Sequence, residues 1–316
     1  MDKTDKRERA KERREKRRQE ISLIRSIPYS DHQRWWSADT IAVVTGANRG
    51  IGFEIAHQLG LHGLTVVLTS RETAVGEEAA KVLQEGGLKV VFHQLDVIDH
   101  ESINSFCTWI KENYGGIDIL INNAGFNHNV GSENSVEFAE KVIATNYFGT
   151  KYMIKAAIPL MRPNNAGARI VSVSSRLGRL NGRKNRISND ELRQQLEDVD
   201  SLSEDKVDAV VNKFLGQVKD GSWTSGGWPQ NNTDYSLSKL AVNAYTRVVA
   251  RELSGRPEGE KIYINCYCPG WVKTAMTGWA GQVTTEEGAD TALWLSLLPD
   301  MRISGKFFAE RREIHF

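Results

Sequence analysis

The sequence predicts an α/β protein with a doubly wound parallel sheet that is flanked by helices on both faces. Two observations support this fold class: short apolar runs rich in β-branched residues recur along the chain, and amphipathic segments of helix length separate them. Runs that are apolar on both faces are typical of strands buried in a parallel sheet. The segments between them are long enough to be helical crossovers. The predicted strands are 41–44, 64–69, 88–95, 117–122, 168–174 and 261–268, with a short edge strand near 305–308, and the predicted helical stretches are 50–60, 75–85, 101–114 and 135–161.

The composition excludes several classes of protein. The chain has 316 residues, of which 40% are hydrophobic and 26% charged, which is ordinary for a soluble globular protein. No apolar run approaches the roughly 18 residues that a membrane-spanning helix needs. The three cysteines, Cys107, Cys266 and Cys268, are too few for a disulfide framework and favour a reducing, cytoplasmic location. Cys266 and Cys268 alternate within an apolar run, so they are expected to be buried side chains, and no metal site is predicted.

The first 37 residues form an N-terminal extension that differs in composition from residues 38–316. Residues 1–20 contain 10 Lys/Arg and 6 Asp/Glu, which leaves the rest of the chain slightly acidic. Such a segment buries little apolar surface, so a solvated tail or a frayed helix is expected. Its basic residues leave a nuclear address or a docking role open. Because the basic excess is confined to this arm, no nucleic-acid-binding domain is expected. Trp35 and Trp36, in the lead-in that follows, are expected to pack on the main domain, although a partner-binding patch is an alternative.

A glycine-rich turn follows the first predicted strand. Residues 45–52 read TGANRGIG, in which Gly46, Gly50 and Gly52 have the spacing G-x3-G-x-G. Glycines at such a turn let the backbone approach a pyrophosphate, and the following helix offers unpaired N–H groups and the positive end of its dipole. The turn therefore predicts a dinucleotide site, with Asn48, Arg49 and Ile51 as further contacts. A turn that needs glycine only for its own backbone is the alternative.

The end of the second strand indicates which nicotinamide cofactor binds. An acidic residue there would accept hydrogen bonds from a free ribose 2′-hydroxyl, whereas a 2′-phosphate requires cations. Here the strand ends in Ser70 and Arg71, Arg49 lies in the glycine turn, and Glu72 comes one position too late for the ribose role. Each charge-assisted hydrogen bond is worth roughly 1.5–3 kcal/mol. The two arginines therefore predict NADPH (NADP+) as the cofactor.

Read together with motifs farther along, these residues resemble the short-chain dehydrogenase/reductase family over about residues 38–316. The matching positions are Asp96 and Val97 in QLDV, Asn122, Asn123, Ala124 and Gly125 in NNAG, Asn146 in ATNYFG, Ser175 after IVSVS, Tyr235 and Lys239 in YxxxK, and Pro269, Gly270, Val272 and Thr274 in PGWVKT. The resemblance implies a Rossmann domain in which the QLDV, NNAG and PG positions contact the cofactor. It also implies that Asn146 supports a water relay for protons, while a residue that merely braces its helix is the alternative reading.

The YxxxK pair has a chemical rationale of its own. Tyr235 and Lys239 are four residues apart, so on a helix they share one face. A free tyrosine has a pKa near 10, and a nearby ammonium together with an oxidised nicotinamide is expected to lower it. Tyr235 then acts as a general acid on a carbonyl under reduction, Ser175 binds the carbonyl oxygen, and Lys239 also holds the nicotinamide ribose. Ser174 is the alternative to Ser175, since a strand turns only one of the two toward the site.

A long insertion separates the two halves of the predicted active site. Tyr235 comes 60 positions after Ser175, and the extra stretch, about 180–230, contains two helix-like segments, 189–199 and 203–219. It resembles the carbonyl-reductase-like branch of the family, which includes plant menthone, isopiperitenone and salutaridine reductases. In that branch the inserted helices cover the surface that other members use for pairing, so a monomer is implied.

Aromatic side chains near the motifs predict the kind of substrate. The candidates for the pocket wall are Phe126, Asn127, Trp223, Trp228, Trp271 and Trp279, although Trp223 and Trp228 could instead pin the insertion to the body. Aromatic rings supply shape more than hydrogen bonds, so a bulky, mostly apolar ketone or aldehyde is expected. The combined prediction is an NADPH-dependent carbonyl reductase acting on a terpenoid, an alkaloid-like molecule or a reactive carbonyl, without nucleic-acid or membrane partners. An alcohol dehydrogenase working in the oxidative direction and a regulatory protein that binds cofactor without turnover are the alternatives, and Tyr235 argues against an ene-reductase.

Overall fold

A computed structural model describes residues 3–26, 33–128, 135–182, 185–299 and 302–316. The chain divides into two compact units between Trp35 and Trp36, two residues before the boundary expected from composition. The first unit contains helix α1 (Lys3–Ser26). Oppositely charged residues one turn apart support this helix, as in the ion pair of Arg9 with Asp5 at 3.2 Å. The parts of the N-terminal prediction that concern residues 1–2 and 27–32 lie outside the described residues.

The second unit is built on an eight-stranded sheet in the order β3-β2-β1-β4-β5-β6-β7-β8. Its first seven strands are parallel and the last is antiparallel. The strands are β1 (Ile41–Val44), β2 (Thr65–Ser70), β3 (Val90–Gln94), β4 (Ile119–Asn122), β5 (Ala168–Val173), β6 (Ile262–Tyr267), β7 (Phe307–Ala309) and β8 (Arg312–Glu313). The predicted doubly wound sheet is thereby confirmed. Because β1 lies between β2 and β4, the chain continues to opposite sides of the strand order after β1 and after β4, and sheets of this kind have a ligand-binding crevice at that point of the carboxyl edge.

Strand β8 is absent from the sequence-based prediction. Glu310 and Arg311 both have positive φ, 54° and 56°, so they form a two-residue turn that folds the chain back onto β7. Arg311 donates from Nε to Asp290 Oδ2 at 2.9 Å and from Nη2 to Asp290 Oδ1 at 2.6 Å. A contact with a residue 21 positions earlier therefore stabilises the turn, and the local sequence does not indicate this contact.

Helices cover the sheet, and one predicted helical stretch contains a π-helical segment. The helices of this unit are α2 (Gly50–Leu61), α3 (Thr73–Glu85), α4 (His100–Tyr114), α5 (Val136–Ile143), α6 (Thr150–Ala157), α7 (Asp190–Glu197), α8 (Glu204–Asp220), α9 (Thr233–Leu253) and α10 (Thr285–Leu297). The stretch 135–161, predicted as a single helical segment, contains α5, a π-helical segment (Ala144–Gly149), α6 and a 3₁₀ turn (Ile158–Leu160). In the described part of the chain, no helix is long and apolar enough to cross a membrane.

The insertion shares the hydrophobic core of the domain. Leu192 and Leu196 on α7 and Val207, Val211 and Phe214 on α8 are buried in the same cluster as the strands and α9. The predicted insertion helices, 189–199 and 203–219, therefore correspond to α7 and α8 and form part of the folded body. The lead-in packs as expected at Trp36, whose indole Nε1 donates to the His62 carbonyl at 3.1 Å.

Candidate active site

The glycine turn and the NNAG loop form one structural unit at the carboxyl ends of β1 and β4. Thr45 Oγ1 accepts hydrogen bonds from the backbone N–H groups of Asn123 and Ala124, each at 3.0 Å. In return, Asn123 Nδ2 donates to the carbonyls of Thr45 and Gly46, each at 2.9 Å. These four bonds hold the two loops that flank the crevice together.

Two glycines of the turn are required by the closeness of this contact. Gly46 has φ 60°, and a methyl group on its Cα would lie 2.9 Å from Ala124 Cα. A methyl group on Gly52 would lie 2.3 Å from Asn123 Nδ2. The alternative reading, a turn that needs glycine for its own backbone, is therefore part of the explanation. Gly50, also at φ 60°, begins α2, and no side chain of Arg49 caps that helix. The first N–H groups of α2 can therefore serve an anion.

The residues expected to select the cofactor lie beside the glycine turn. Ala47 N donates to the Thr69 carbonyl at 2.8 Å, which brings the turn next to the end of β2. Arg49 is exposed, and Arg71 has a side chain that is 70% exposed and pairs with Glu72 at 3.7 Å. Exposed ion pairs of this kind contribute little. Arg71 can therefore exchange this carboxylate for a phosphate at small cost.

Two further predicted cofactor positions, Asp96 and Val97, follow β3. After β3, Asp96 Oδ1 accepts from Ile98 N at 3.1 Å. Val97 is buried against the π-helical segment, where a methyl group on Gly149 would lie 2.7 Å from Val97 Cγ2.

The PG segment approaches the crevice from β6. Pro269 and Gly270, at φ 87°, follow β6, and Val272 bridges to Val283. The methyl carbon of Thr274 lies 3.5 Å from the position that a side-chain carbon on Gly50 would take. The structure thus places the PG segment against the glycine turn.

Tyr235, Lys239 and Ser175 meet at the carboxyl end of β5. Ser175 lies close enough to the Tyr235 side chain to lower the pKa of its phenol. Lys239 Nζ donates to the Val173 carbonyl at 2.8 Å and lies 5.6 Å from the centre of the Tyr235 ring. The end of a buried strand and the first turns of α9 therefore bring together a hydroxyl, a phenol and an ammonium.

The choice between Ser174 and Ser175 follows from the alternation along β5. Ser174 is buried, and its Oγ lies 2.5 Å from Asn243 Oδ1 and 3.2 Å from the Lys239 carbonyl, so it fastens β5 to α9. Ser175 is half-buried, contacts Tyr235, and accepts from Leu177 N at 3.1 Å. Of the two serines, Ser175 is therefore the one that faces the tyrosine.

Burial dominates the electrostatics of Tyr235 and Lys239 in the protein alone. Burial lowers the pKa of Lys239 to about 8. Burial raises the pKa of Tyr235, and the neighbouring Ser175 offsets this rise only in part. The expectation that the ammonium and an oxidised nicotinamide together lower the tyrosine pKa concerns the complex with cofactor; in the protein alone, loss of hydration has the largest effect on Tyr235. At neutral pH Tyr235 is a protonated hydroxyl, which is the form that donates a proton.

Asn146 lies in the π-helical segment and its side chain is fully engaged. Its Oδ1 accepts from Phe126 N at 2.9 Å, and its Nδ2 donates to the Phe126 carbonyl at 2.9 Å and to Ser238 Oγ at 3.1 Å. Ser238 Oγ in turn donates to the Tyr235 carbonyl at 2.7 Å. Asn146 thus braces the loop after β4 against the first turn of α9, as the alternative reading of this residue expects.

The aromatic candidates separate into two groups. Phe126 is half-buried beside Asn146, whereas Trp271 and Trp279 are exposed on the segment after β6, with Trp271 at 54%. Trp223 is partly buried against the core. The prediction that Trp228 lines the pocket is wrong. Its side chain is 1% exposed, lies against Phe214 and donates from Nε1 to Gln217 Oε1 at 2.7 Å, so it anchors the insertion.

Two positioning residues are missing from the sequence-based prediction. Thr45 holds the NNAG backbone, and Ser238 joins Asn146 to Tyr235. Ser238 lies three residues after Tyr235, on the same helical face, and that spacing was the available signal. Among the residues that the structure describes, no cluster of three or more His, Cys, Asp or Glu has the arrangement of a metal site.

Comparison with known proteins identifies the family. The family model described as short chain dehydrogenase matches residues 40–187. Short-chain dehydrogenase/reductase 1 of Saponaria officinalis is 39% identical over 297 residues, which cover 86% of this chain and 94% of that protein. Carbonyl reductase [NADPH] 1 of Bos taurus is 37% identical over 89% of this chain and 99% of its own. The solved structure of salutaridine reductase from Papaver somniferum superposes with a TM-score of 0.77 at 37% identity, covering 85% of this chain and 99% of that one. The chain therefore belongs to the short-chain dehydrogenase family of oxidoreductases.

Proposed function

We propose that the protein is an NADPH-dependent carbonyl reductase. The observation that carries this proposal is the grouping of Tyr235, Ser175 and Lys239: Ser175 acts on the Tyr235 phenol, and the Lys239 ammonium lies 5.6 Å from the centre of the same tyrosine ring. A protonated phenol and a hydroxyl that lie side by side can both bond one carbonyl oxygen. The relatives named carbonyl reductase [NADPH] 1 and salutaridine reductase support the same class of reaction.

The residues at the crevice fit a dinucleotide. Side chains at Gly46 and Gly52 would fill the narrow contact between the two loops, and α2 begins at Gly50 without a side-chain cap. Asn48, Arg49, Ile51 and the NNAG residues line the same turn, while Arg49 and Arg71 would hold a 2′-phosphate. When bound, NADPH supplies the hydride, and the protein supplies orientation and the proton.

The protein residues act on the carbonyl oxygen. Ser175 and Tyr235 donate hydrogen bonds to it and so stabilise the negative charge that grows on it. The Tyr235 hydroxyl gives its proton to this oxygen, which leaves an alcohol and a tyrosinate. Lys239 stabilises the tyrosinate by its positive charge and holds the nicotinamide ribose. Solvent then restores the proton to Tyr235, and Asn146 holds the loop and helix that frame this path.

The substrate that fits this surface is a bulky, mostly apolar ketone or aldehyde. Trp271, Met276 and Trp279 are all exposed on the segment that follows the PG motif. Exposed large apolar side chains grouped on one segment are typical of a binding surface. With Phe126 they would supply shape and apolar contact, and we propose that they close over the substrate during reduction.

A monomer in a reducing compartment completes the proposal. The insertion helix α8 pairs with α5 through Lys219–Glu140 and with α6 through Lys151–Asp208, and it shares a hydrophobic core with these helices and α9. The face of these helices is therefore already buried within one chain. Cys107, Cys266 and Cys268 are all free thiols, which suits a cytoplasmic protein.

The direct test follows NADPH consumption with a panel of ketones, aldehydes and enones, with NADH in parallel. We expect turnover of bulky apolar carbonyls with NADPH and a loss of about 10²–10⁴-fold in Tyr235→Phe. Tyr263→Phe is the matched control. Tyr263 lies near the amino end of β6, opposite to the end that leads to the PG segment, so this variant should keep its activity. Tight NADPH binding without turnover of any compound, or full activity in Tyr235→Phe, would overturn the proposal.

A further inference from the structure

A partly buried ionic cluster joins the insertion to the helix that follows Asn146. Lys151 on α6 has a side chain that is only 7% exposed, and its Nζ lies 2.5 Å from Asp208 Oδ2 and 2.8 Å from Glu204 Oε1. Both carboxylates belong to α8. The Tyr147 hydroxyl donates to the other oxygen of Asp208 at 2.6 Å. Asp208 thus holds one residue of the π-helical segment and one residue of α6 at the same time.

The charged and polar groups of the cluster stabilise one another. Burial alone would lower the pKa of Lys151, but hydrogen bonds with Asp208 and Glu204 raise it, so the lysine stays charged. Tyr147 is fully buried, and burial together with its bond to Asp208 raises its pKa. Without Asp208 the buried hydroxyl would lose the acceptor that satisfies it. The contact is therefore a specific link between the insertion and the π-helical segment.

The link reaches the active site through one peptide bond. Tyr147 and Asn146 are neighbours in the π-helical segment Ala144–Gly149, and their side chains bind different partners: Tyr147 binds α8, whereas Asn146 binds Phe126 and Ser238. π-helical turns are rare, occur frequently at functional sites, and persist where surrounding contacts determine them. Here those contacts are made on both sides of the segment.

We propose that Asp208 is a positioning residue for the active site. Acting through Tyr147, it holds the π-helical segment in the register that places Asn146 against the Phe126 backbone and Ser238. Asn146 in turn packs against Gly125, next to Lys239: a methyl group on Gly125 would lie 2.9 Å from Asn146 Oδ1 and 3.5 Å from Lys239 Nζ. The insertion therefore supports the catalytic centre from behind as well as extending the fold. The catalytic consequence of this inference rests on the proposed function, whereas its structural part does not.

A second ion pair between the insertion and the rest of the domain provides a matched control. Lys219 on α8 pairs with Glu140 on α5 at 2.8 Å, and both side chains are about half exposed. This pair joins the insertion to the body as the Asp208 cluster does. It makes no bond to Tyr147. Glu140→Gln therefore removes a link of the insertion without touching the π-helical segment.

The structural arm measures hydrogen–deuterium exchange in the full-length protein without cofactor. Asp208→Asn and Tyr147→Phe are each expected to speed exchange in peptides that cover 123–128 and 144–149, whereas Glu140→Gln leaves both peptides unchanged. Tyr147→Phe removes a single hydroxyl, so it carries the test if Asp208→Asn does not fold. Unchanged exchange in both peptides, or an equal change in Glu140→Gln, would overturn the inference.

The catalytic arm separates positioning from simple loss of stability. Small displacements of catalytic groups cost up to about 10²-fold in rate. Asp208→Asn and Tyr147→Phe should therefore lower kcat by about tenfold or more while the KM for NADPH changes less than about twofold, because the glycine turn is untouched. The double variant should be no slower than Asp208→Asn, since both changes break one path. Additive losses of kcat in the double variant, or single variants with the kcat of the wild type, would contradict the positioning role of Asp208. A wild type that turns over no carbonyl would refute the proposed function, and the exchange arm would still decide the positioning role.

Discussion

Gly125 lies so close to Asn146 that a methyl group on its Cα would sit 2.9 Å from Asn146 Oδ1. The Asn146 side chain is held in place, because its Oδ1 and Nδ2 both hydrogen-bond with the Phe126 backbone and its Nδ2 also donates to Ser238. The last residue of the NNAG motif is thus a glycine because the asparagine of the next helix occupies its side-chain space.

Gly125→Ala is therefore expected to displace the Asn146 side chain, which lies beside Lys239. Overpacking of this kind lowers the free energy of unfolding by about 1–3 kcal/mol. We expect a fall in kcat whose free-energy equivalent is at least as large. Thermal unfolding and NADPH-linked turnover are the measurements. Gly216→Ala on α8 is the control, because nothing lies within 4 Å of its new methyl group and alanine favours a helix by about 1 kcal/mol. A Gly125→Ala protein with wild-type kcat would show that the Asn146 placement is dispensable.

The two tryptophans Trp228 and Trp271 should respond to truncation in opposite ways. Trp228 is buried against Phe214 and hydrogen-bonded to Gln217, so Trp228→Ala should cost about 3–5 kcal/mol of unfolding free energy. Trp271 is 54% exposed, so Trp271→Ala should change stability by no more than about 0.5 kcal/mol. If Trp271 covers the substrate, its truncation raises the KM for apolar carbonyls and leaves the KM for NADPH unchanged. Denaturant unfolding with steady-state kinetics distinguishes the two, and a stable Trp228→Ala protein would contradict its anchoring role.

Cofactor preference should depend on Arg49 and Arg71. Each charge-assisted hydrogen bond to a 2′-phosphate is worth roughly 1.5–3 kcal/mol, so Arg71→Ala or Arg49→Ala should raise the Kd for NADPH by about 10–100-fold. The Kd for NADH should hardly move, because NADH carries no phosphate there. Fluorescence titration with both cofactors measures the difference. Arg256→Ala serves as the control, since its partner Glu260 lies in the loop before β6, at the amino edge of the sheet. Equal losses for NADPH and NADH would indicate a general effect on the turn.

Much of this site follows from local pattern, and the exceptions share a cause. The strands follow from β-branched runs, and the shared face of Tyr235 and Lys239 follows from their spacing on a helix. Strand alternation predicts that only one of Ser174 and Ser175 faces the site. The hydrogen bond between Ser174 and Asn243, on α9, shows that Ser175 is that residue. The π-helical turn at Asn146 depends on Asp208, 62 positions away, and Trp228 is buried because the insertion folds onto the body. Contacts made across long separations leave no local signal.

The pH dependence should follow Lys239. Its pKa is about 8 in the folded protein because burial disfavours the ammonium, whereas an ordinary lysine stays charged to about 10.5. The kcat/KM for NADPH reports groups of the free enzyme, so it should fall above about pH 8 as Lys239 loses its charge. Stability should move the other way. The unfolded chain binds more protons than the folded one above pH 8, so the free energy of unfolding rises.

This rise is cleanest between pH 8 and 9, because above pH 9 the buried Cys266, with its pKa raised to about 12, has the opposite effect. The check combines pH profiles of kcat/KM with urea unfolding at pH 7, 8 and 9. Lys239→Arg remains charged throughout this range, so its activity should show no alkaline loss near pH 8. In Lys239→Met the rise in stability from pH 8 to pH 9 should disappear, because the titrating amine is gone. If the alkaline loss of activity survives in Lys239→Arg, another group causes it. If the stability of the wild type falls from pH 8 to pH 9, the pKa of Lys239 is not lowered in the folded protein.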